Sequence, residues 1–167
     1  MTGFSREVRI DTIGTAARDI AVEADPGERA DLARRFDIAS LDMLTARASV
    51  KTQGADIHAS GQLSARLVQL CVATNVPLPA SIDVPFDIVF RGASPDAAPE
   101  VELSADECDV AFYEGSAIDL GEAVAETLAL AIDPYPRSPD ADAVLQEMGV
   151  FGEAQAGPFA ALAALKT

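Results

Sequence analysis

The chain has 167 residues, 49% of them hydrophobic, with no tryptophan and 5% aromatics, which fits one domain with a core of Ala, Val, Leu and Ile. Its formal net charge of −15 argues against direct, non-specific nucleic-acid binding, which relies on Lys and Arg displacing counterions from phosphates. No run of about 18 apolar residues offers a membrane-spanning helix, and the charged start at Arg6, Glu7 and Arg9 has no apolar stretch of the kind a secretory signal needs.

Asp25 before Pro26 predicts a capped helix running to about Phe36, with Leu32, Ala33 and Phe36 inward. The period then changes to two. Leu44, Ala46, Ala48 and Val50 alternate with Thr45, Arg47, Ser49 and Lys51, up to a turn at 53–56. A second alternation puts Ile57, Ala59, Leu63, Ala65 and Leu67 on one face and His58, Ser60, Gln62, Ser64 and Arg66 on the other. After a turn at 74–77, the third and longest alternation carries Leu78, Ala80, Ile82, Val84, Phe86, Ile88 and Phe90. Three half-buried strands with short connections predict an antiparallel meander. Pro79 and Pro85 cannot donate ladder hydrogen bonds, so they predict an edge or a bulge in the third strand.

Residues 92–99, rich in Gly, Pro and Ala, read as an exposed loop. Short strands are expected around Val101 and Leu103 and at Val110–Tyr113. Asp119, with Glu122 three residues on, predicts a helix N-terminus. Leu120, Val124, Leu128 and Ala131 follow at helical spacing, and Asp133-Pro134 ends the helix. A shorter helix is predicted over 140–148, and an apolar helix or docking segment over 157–166. There, Phe159, Leu162 and Leu165 can anchor a partner's groove or pack on their own sheet, packing being the commoner outcome. The whole reads as a single α+β domain over 1–167. It is a twisted antiparallel sheet or partial barrel with packed helices, divided into a near-neutral half (1–91), a loop (92–99) and an acidic half (100–167).

Charge is the main chemical clue. Residues 1–91 hold 12 acids and 10 bases (net −2), and residues 92–167 hold 15 acids and two bases (net −13). Between Arg91 and Arg137 no Lys or Arg occurs, which gives a one-signed, directional field that attracts basic partners. The candidate contact residues are Glu100, Glu102, Asp106, Glu107, Asp109, Glu114, Asp119, Glu122 and Glu126. Against this stands the plainer reading that acidic surfaces keep proteins soluble. Arg29, Arg34, Arg35 and Arg47, mixed with Asp31 and Asp37, read as a solvated face rather than a nucleic-acid patch.

No catalytic residue is proposed. The run Asp106-Glu107-Cys108-Asp109 lacks the fixed spacing of a calcium loop. Cys71, Cys108 and His58 are too few for a structural zinc site, so no metal or cofactor is expected. Two cysteines make no disulfide framework, and a reducing cytoplasm is the simplest location. Cys71 reads as a small hydrophobe capping a strand. His58, at the far end of that strand, cannot activate it.

Several blocks resemble one family. Leu67-Val68-Gln69-Leu70-Cys71-Val72 resembles its strand ending at a cysteine. Tyr113-Glu114 followed by Ile118-Asp119-Leu120-Gly121-Glu122 resembles its most recognisable block. Ala129-Leu130-Ala131, leading to Asp133-Pro134-Tyr135-Pro136, resembles the helix and its proline-rich exit, and 158–166 resembles its closing motif. The family is the YceD family, the large-subunit ribosomal RNA accumulation proteins. Many of its members carry Cys-x-x-Cys where Cys71 stands. Here the second position is Thr74, and no cysteine follows Cys108, so a metal site is not carried over. The resemblance implies a role in making or keeping large-subunit ribosomal RNA. With the charge, it predicts a non-enzymatic ribosome-assembly factor that holds a basic ribosomal or assembly protein. The alternative is an acidic regulator that mimics nucleic acid in the basic cleft of an RNA-processing nuclease.

Overall fold

The computed structural model describes residues 3–93 and 109–149. The strand expected at Val101 and Leu103, most of the 92–99 loop, Cys108 and the segment with Phe159, Leu162 and Leu165 lie outside these residues. Seven strands, three α-helices and a 3-10 turn (Ile10–Thr12) are described: β1 (Glu7–Arg9), β2 (Arg18–Glu23), α1 (Pro26–Arg35), β3 (Ser40–Gln53), β4 (Asp56–Leu70), β5 (Pro77–Gly92), β6 (Asp109–Tyr113), β7 (Ala117–Asp119), α2 (Leu120–Ala131) and α3 (Ala141–Glu147). The fold is α+β. Its chain divides into two compact units, Met1–Val68 with Pro79–Asp133 and Gln69–Leu78 with Pro134–Thr167.

The larger unit is built on the five-stranded sheet, in the order β2-β3-β4-β5-β6, and this sheet is not closed. β2, β3 and β4 pair antiparallel, and β3 turns into β4 through a two-residue hairpin in which Gly54 has φ +63°. The meander expected from the alternating pattern is present, but β6 joins β5 in parallel, making the sheet mixed. β5 therefore has a neighbour on each side. Among the described residues, β6 pairs only with Ile88–Gly92, so Pro79 and Pro85 fall where β6 is not alongside. β1 pairs with β7 in a separate two-stranded ladder.

The inward rows bury Leu44, Ala46, Ala48 and Val50 of β3 with Ile57, Ala59, Leu63, Ala65 and Leu67 of β4. Position 61 is the gap in the β4 row, and it is glycine for a reason. A Cβ there would lie 1.8 Å from the Arg47 carbonyl oxygen and 2.9 Å from Ala48 Cα. The two backbones approach too closely for any side chain, which lets the long hairpin bend around the core.

Both helices of this unit start as the sequence dictates. Asp25 accepts from Glu28 N–H while Glu28 accepts from Asp25 N–H, a complete capping box for α1. Asp119 accepts from Glu122 N–H at 3.0 Å and caps α2. Leu120, Val124 and Leu128 are fully buried against the sheet, while Ala131 is half-buried. A segment from Phe4 to Arg6 crosses the start of α2. Phe4 is fully buried, and Leu120 N–H donates to Arg6 O.

The smaller unit is a turn facing a proline-rich segment. Val72 N–H donates to Pro136 O, Cys71 N–H to Val76 O, and Asn75 N–H to Cys71 O, with Asn75 in the left-handed region at φ 62°. α3 follows, with Ala141 buried.

Candidate functional site

Of the candidate contact residues, Glu100, Glu102, Asp106 and Glu107 lie outside the described residues. The other five are not equivalent. Asp119 is committed internally. Its carboxylate accepts from the Ser5 hydroxyl at 2.6 Å, Arg6 N–H at 2.9 Å and Glu122 N–H at 3.0 Å. Partial burial pushes this carboxyl up. The Ser5 hydroxyl and the N–H groups of Glu122, Arg6 and Gly121 together outweigh that and hold it below the ordinary carboxylate range.

Glu122 is also occupied. It takes both Arg35 nitrogens, at 3.0 and 2.6 Å, in a fork that ties α1 to α2. Glu126, one turn along, adds its field to Arg35 without pairing. That relieves the like-charge cost of Glu122 and Glu126 at i, i+4 spacing, about 0.2–0.5 kcal/mol. Asp109, opening β6, and Glu114, in the turn after it, are exposed and have no ion pair among the described residues.

The basic residues are largely consumed inside the molecule. Arg6 forks onto Glu28 at 2.7 and 2.9 Å, Arg91 onto Asp56 at 3.2 and 3.0 Å, and Arg9, Arg34 and Arg137 pair with Asp11, Asp31 and Asp142. Arg29 donates to Asp42 O. The arginines read as a solvated face are thus mostly bound within the molecule, Arg34 to a neighbour on its own helix and Arg35 to Glu122 of α2. What they leave outward is an acid surplus. It includes three carboxylates that sequence reading passed over: Glu7, Asp19 and Glu23, all exposed and without an ion pair among the described residues. Nothing in the local pattern distinguishes them, because their availability depends on where distant arginines went.

Cys71 was expected to be a buried hydrophobe closing β4. It is buried, at 2% exposure, but its environment is polar. Sγ accepts from Ser138 N–H at 3.3 Å. That donor foremost, aided by the Ala73 and Thr74 N–H groups against burial, lowers the thiol to about 6. Thr74 stands where the family pattern has a second cysteine, and its own hydroxyl is buried without a hydrogen-bond partner among the described residues. A depressed acid stabilises the fold in its ionised form. This contribution is complete above the thiol's unfolded value near about 8.5 and is lost as pH falls through the folded value. Thiolate absorbance near 240 nm should therefore rise with a midpoint of about 6 in the folded protein. A midpoint above 8 would show that the turn does not stabilise the anion. His58 is half-buried on the outer face of β4.

Among the described residues no group of three or more His, Cys, Asp or Glu could hold a metal ion, and no helix is long and apolar enough to cross a membrane. The family model described as large ribosomal RNA subunit accumulation protein YceD matches residues 59–166, from β4 onward. No curated protein and no solved structure matches the chain.

Proposed function

The chain belongs to the YceD family of large ribosomal RNA subunit accumulation proteins, and from that premise we propose that it acts without catalysis, holding a basic protein of the ribosome or of its assembly. The carrying observation is the division of charge. Arg6, Arg9, Arg34, Arg35, Arg91 and Arg137 each neutralise a carboxylate of the same chain, while Asp109 and Glu114 are exposed and have no ion pair among the described residues. With a net charge of −15, such a surface repels phosphate and attracts Lys- and Arg-rich protein. The partner is screened while it is held. RNA, with its higher charge density, takes it over on delivery.

The test is capture of the tagged protein's partners from lysate at low salt, with and without ribonuclease, followed by a salt gradient. Basic ribosomal or assembly proteins should survive ribonuclease. They should elute as salt rises through roughly 0.1–0.5 M, where the Debye length shrinks from about 10 Å towards a few ångströms. Loss of every captured protein on ribonuclease treatment would mean that the contact is to a ribonucleoprotein particle, and would overturn the reading. Recovery of one RNA-processing nuclease in place of ribosomal proteins would favour nucleic-acid mimicry.

A further inference from the structure

β6 is the last strand of the five-stranded sheet, and its pairing with β5 fixes which of its backbone groups are left over. Gly92 stands beside Tyr113, and Ala93 N–H donates to Tyr113 O at 2.9 Å. Tyr113 therefore turns its amide and carbonyl to β5, and by alternation along the strand so do Ala111 and Asp109. Val110 and Phe112 turn theirs the other way, and no described backbone group pairs with them. Their side chains stand on the outer face beside Val89 and Arg91 and are exposed, Phe112 to 59% and Val110 to 36%. Sheets ordinarily blunt such an edge with lysine, proline or a bulge. β6 has none of these over Asp109–Tyr113. The free charges around it have one sign. Asp87 of β5, Asp109 and Glu114 are exposed and have no ion pair among the described residues, and Arg91, the cation in register with β6, is held by Asp56 at 3.0 Å.

We propose that the outer edge of β6 takes on an extended segment of alternating apolar and basic residues, contributed by the basic partner. The inference rests on the function proposed above and names where that partner is gripped. A sheet edge needs no second wall. Among the described residues β6 ends the strand order, so an added strand has only to lie alongside it. Its 5 residues offer an edge of roughly 17 Å. Val110 and Phe112 supply the ladder donors and acceptors. Apolar side chains on the outer face of the incoming strand cover these two exposed hydrophobes, and lysine or arginine at the alternate positions and ends reaches Asp109 and Glu114. Charge disfavours a second copy as the occupant. Antiparallel self-pairing centred on β6 would set Asp109 of each copy near Glu114 of the other, between two chains of net charge −15. The same carboxylates repel phosphate. The edge lies within residues 59–166, the segment matched by the family model.

The probe is a short, end-capped peptide alternating lysine with valine, followed on the full chain by amide NMR. Binding should weaken with salt and slow hydrogen exchange in alternation: strongly at the Val110 and Phe112 amides, and little at Ala111, which is already bonded to β5. Val110→Pro removes one outward donor without touching the β5 ladder, and should weaken binding roughly tenfold with little change in thermal midpoint. Methylating the peptide's backbone nitrogens, which leaves its charge intact, should do the same to the unaltered protein. Joint replacement Asp109→Asn and Glu114→Gln should flatten the salt dependence. If the N-methylated peptide binds as well as its parent, or if oligouridylate shifts these amides and the peptide does not, the edge proposal is wrong. Concentration-dependent dimerisation that Val110→Pro abolishes would make a second copy the occupant and overturn it too. Salt-sensitive capture of basic proteins that ignores Val110→Pro and the double charge variant would overturn this site while leaving the proposed function standing. No basic protein retained at low salt would overturn both.

Discussion

Gly61→Ala is expected to cost about 3 kcal/mol or more and to lower the thermal midpoint by roughly 10 °C. The added methyl would meet Arg47 O at 1.8 Å, Arg47 C at 2.8 Å and Ala48 Cα at 2.9 Å, and all three are backbone atoms of the neighbouring strand. A flexible side chain could turn aside, but a ladder cannot move without breaking its own hydrogen bonds. The strain therefore falls on the bend that wraps β3 and β4 around Leu44, Leu63 and Leu67, all essentially inaccessible to solvent. Gly14→Ala is the control. Its Cβ would meet nothing nearer than 3.9 Å, and stability should change by no more than about 0.5 kcal/mol. Thermal or urea unfolding of the two variants decides the matter. Equal, small losses would mean that β3 and β4 part easily at this point.

The second large effect runs against helix propensity. Gly121 sits in the first turn of α2, where alanine would ordinarily gain up to about 1 kcal/mol. Here a Cβ would lie 2.6 Å from Phe4 O, 2.7 Å from Arg6 N and 3.0 Å from Ser5 C. Gly121→Ala is therefore expected to destabilise by about 2 kcal/mol, because it pushes off the segment that buries Phe4 and supplies donors to Asp119. Hydrogen exchange gives the specific sign: faster exchange of Leu120 N–H, which donates to Arg6 O, with the amides of α1 unaffected. A variant more stable than the parent would show that the crossing segment is not tightly held.

The parts of the fold legible in the sequence are those whose signal is local. The three alternating rows predicted β3, β4 and β5 with their turns. Asp25-Pro26 and Asp119 placed the starts of α1 and α2, since a cap and its N–H donor are three residues apart. β1 and β7 have three residues each, and β2 buries only Val22 fully. Such stretches carry too little periodicity to be read, and their pairing is decided elsewhere in the chain. The parallel union of β5 with β6 is invisible for the same reason. The acid surplus was plain from counting, but not which carboxylates are free. Glu122 is taken by Arg35, 87 residues away, and the Cys71 sulfur finds its chief donor at Ser138, 67 residues away.

The pairing of Glu7 with Asp119 also sets an order of events. The hairpin of β3 and β4 joins neighbours in the chain, so it can close in microseconds once both strands exist. β1 has no ladder partner until residue 119 has been made. At about 5–20 residues per second, that is a wait of roughly 6–22 s during synthesis. Through that interval the Phe4 ring has nowhere to dock, and α2 cannot yet be capped. β1 is thus made well before its partner and placed only after it. The meander is complete at Gly92, so for the last 27 residues before Asp119, roughly 1–5 s, it waits formed while β1 is still unpaired.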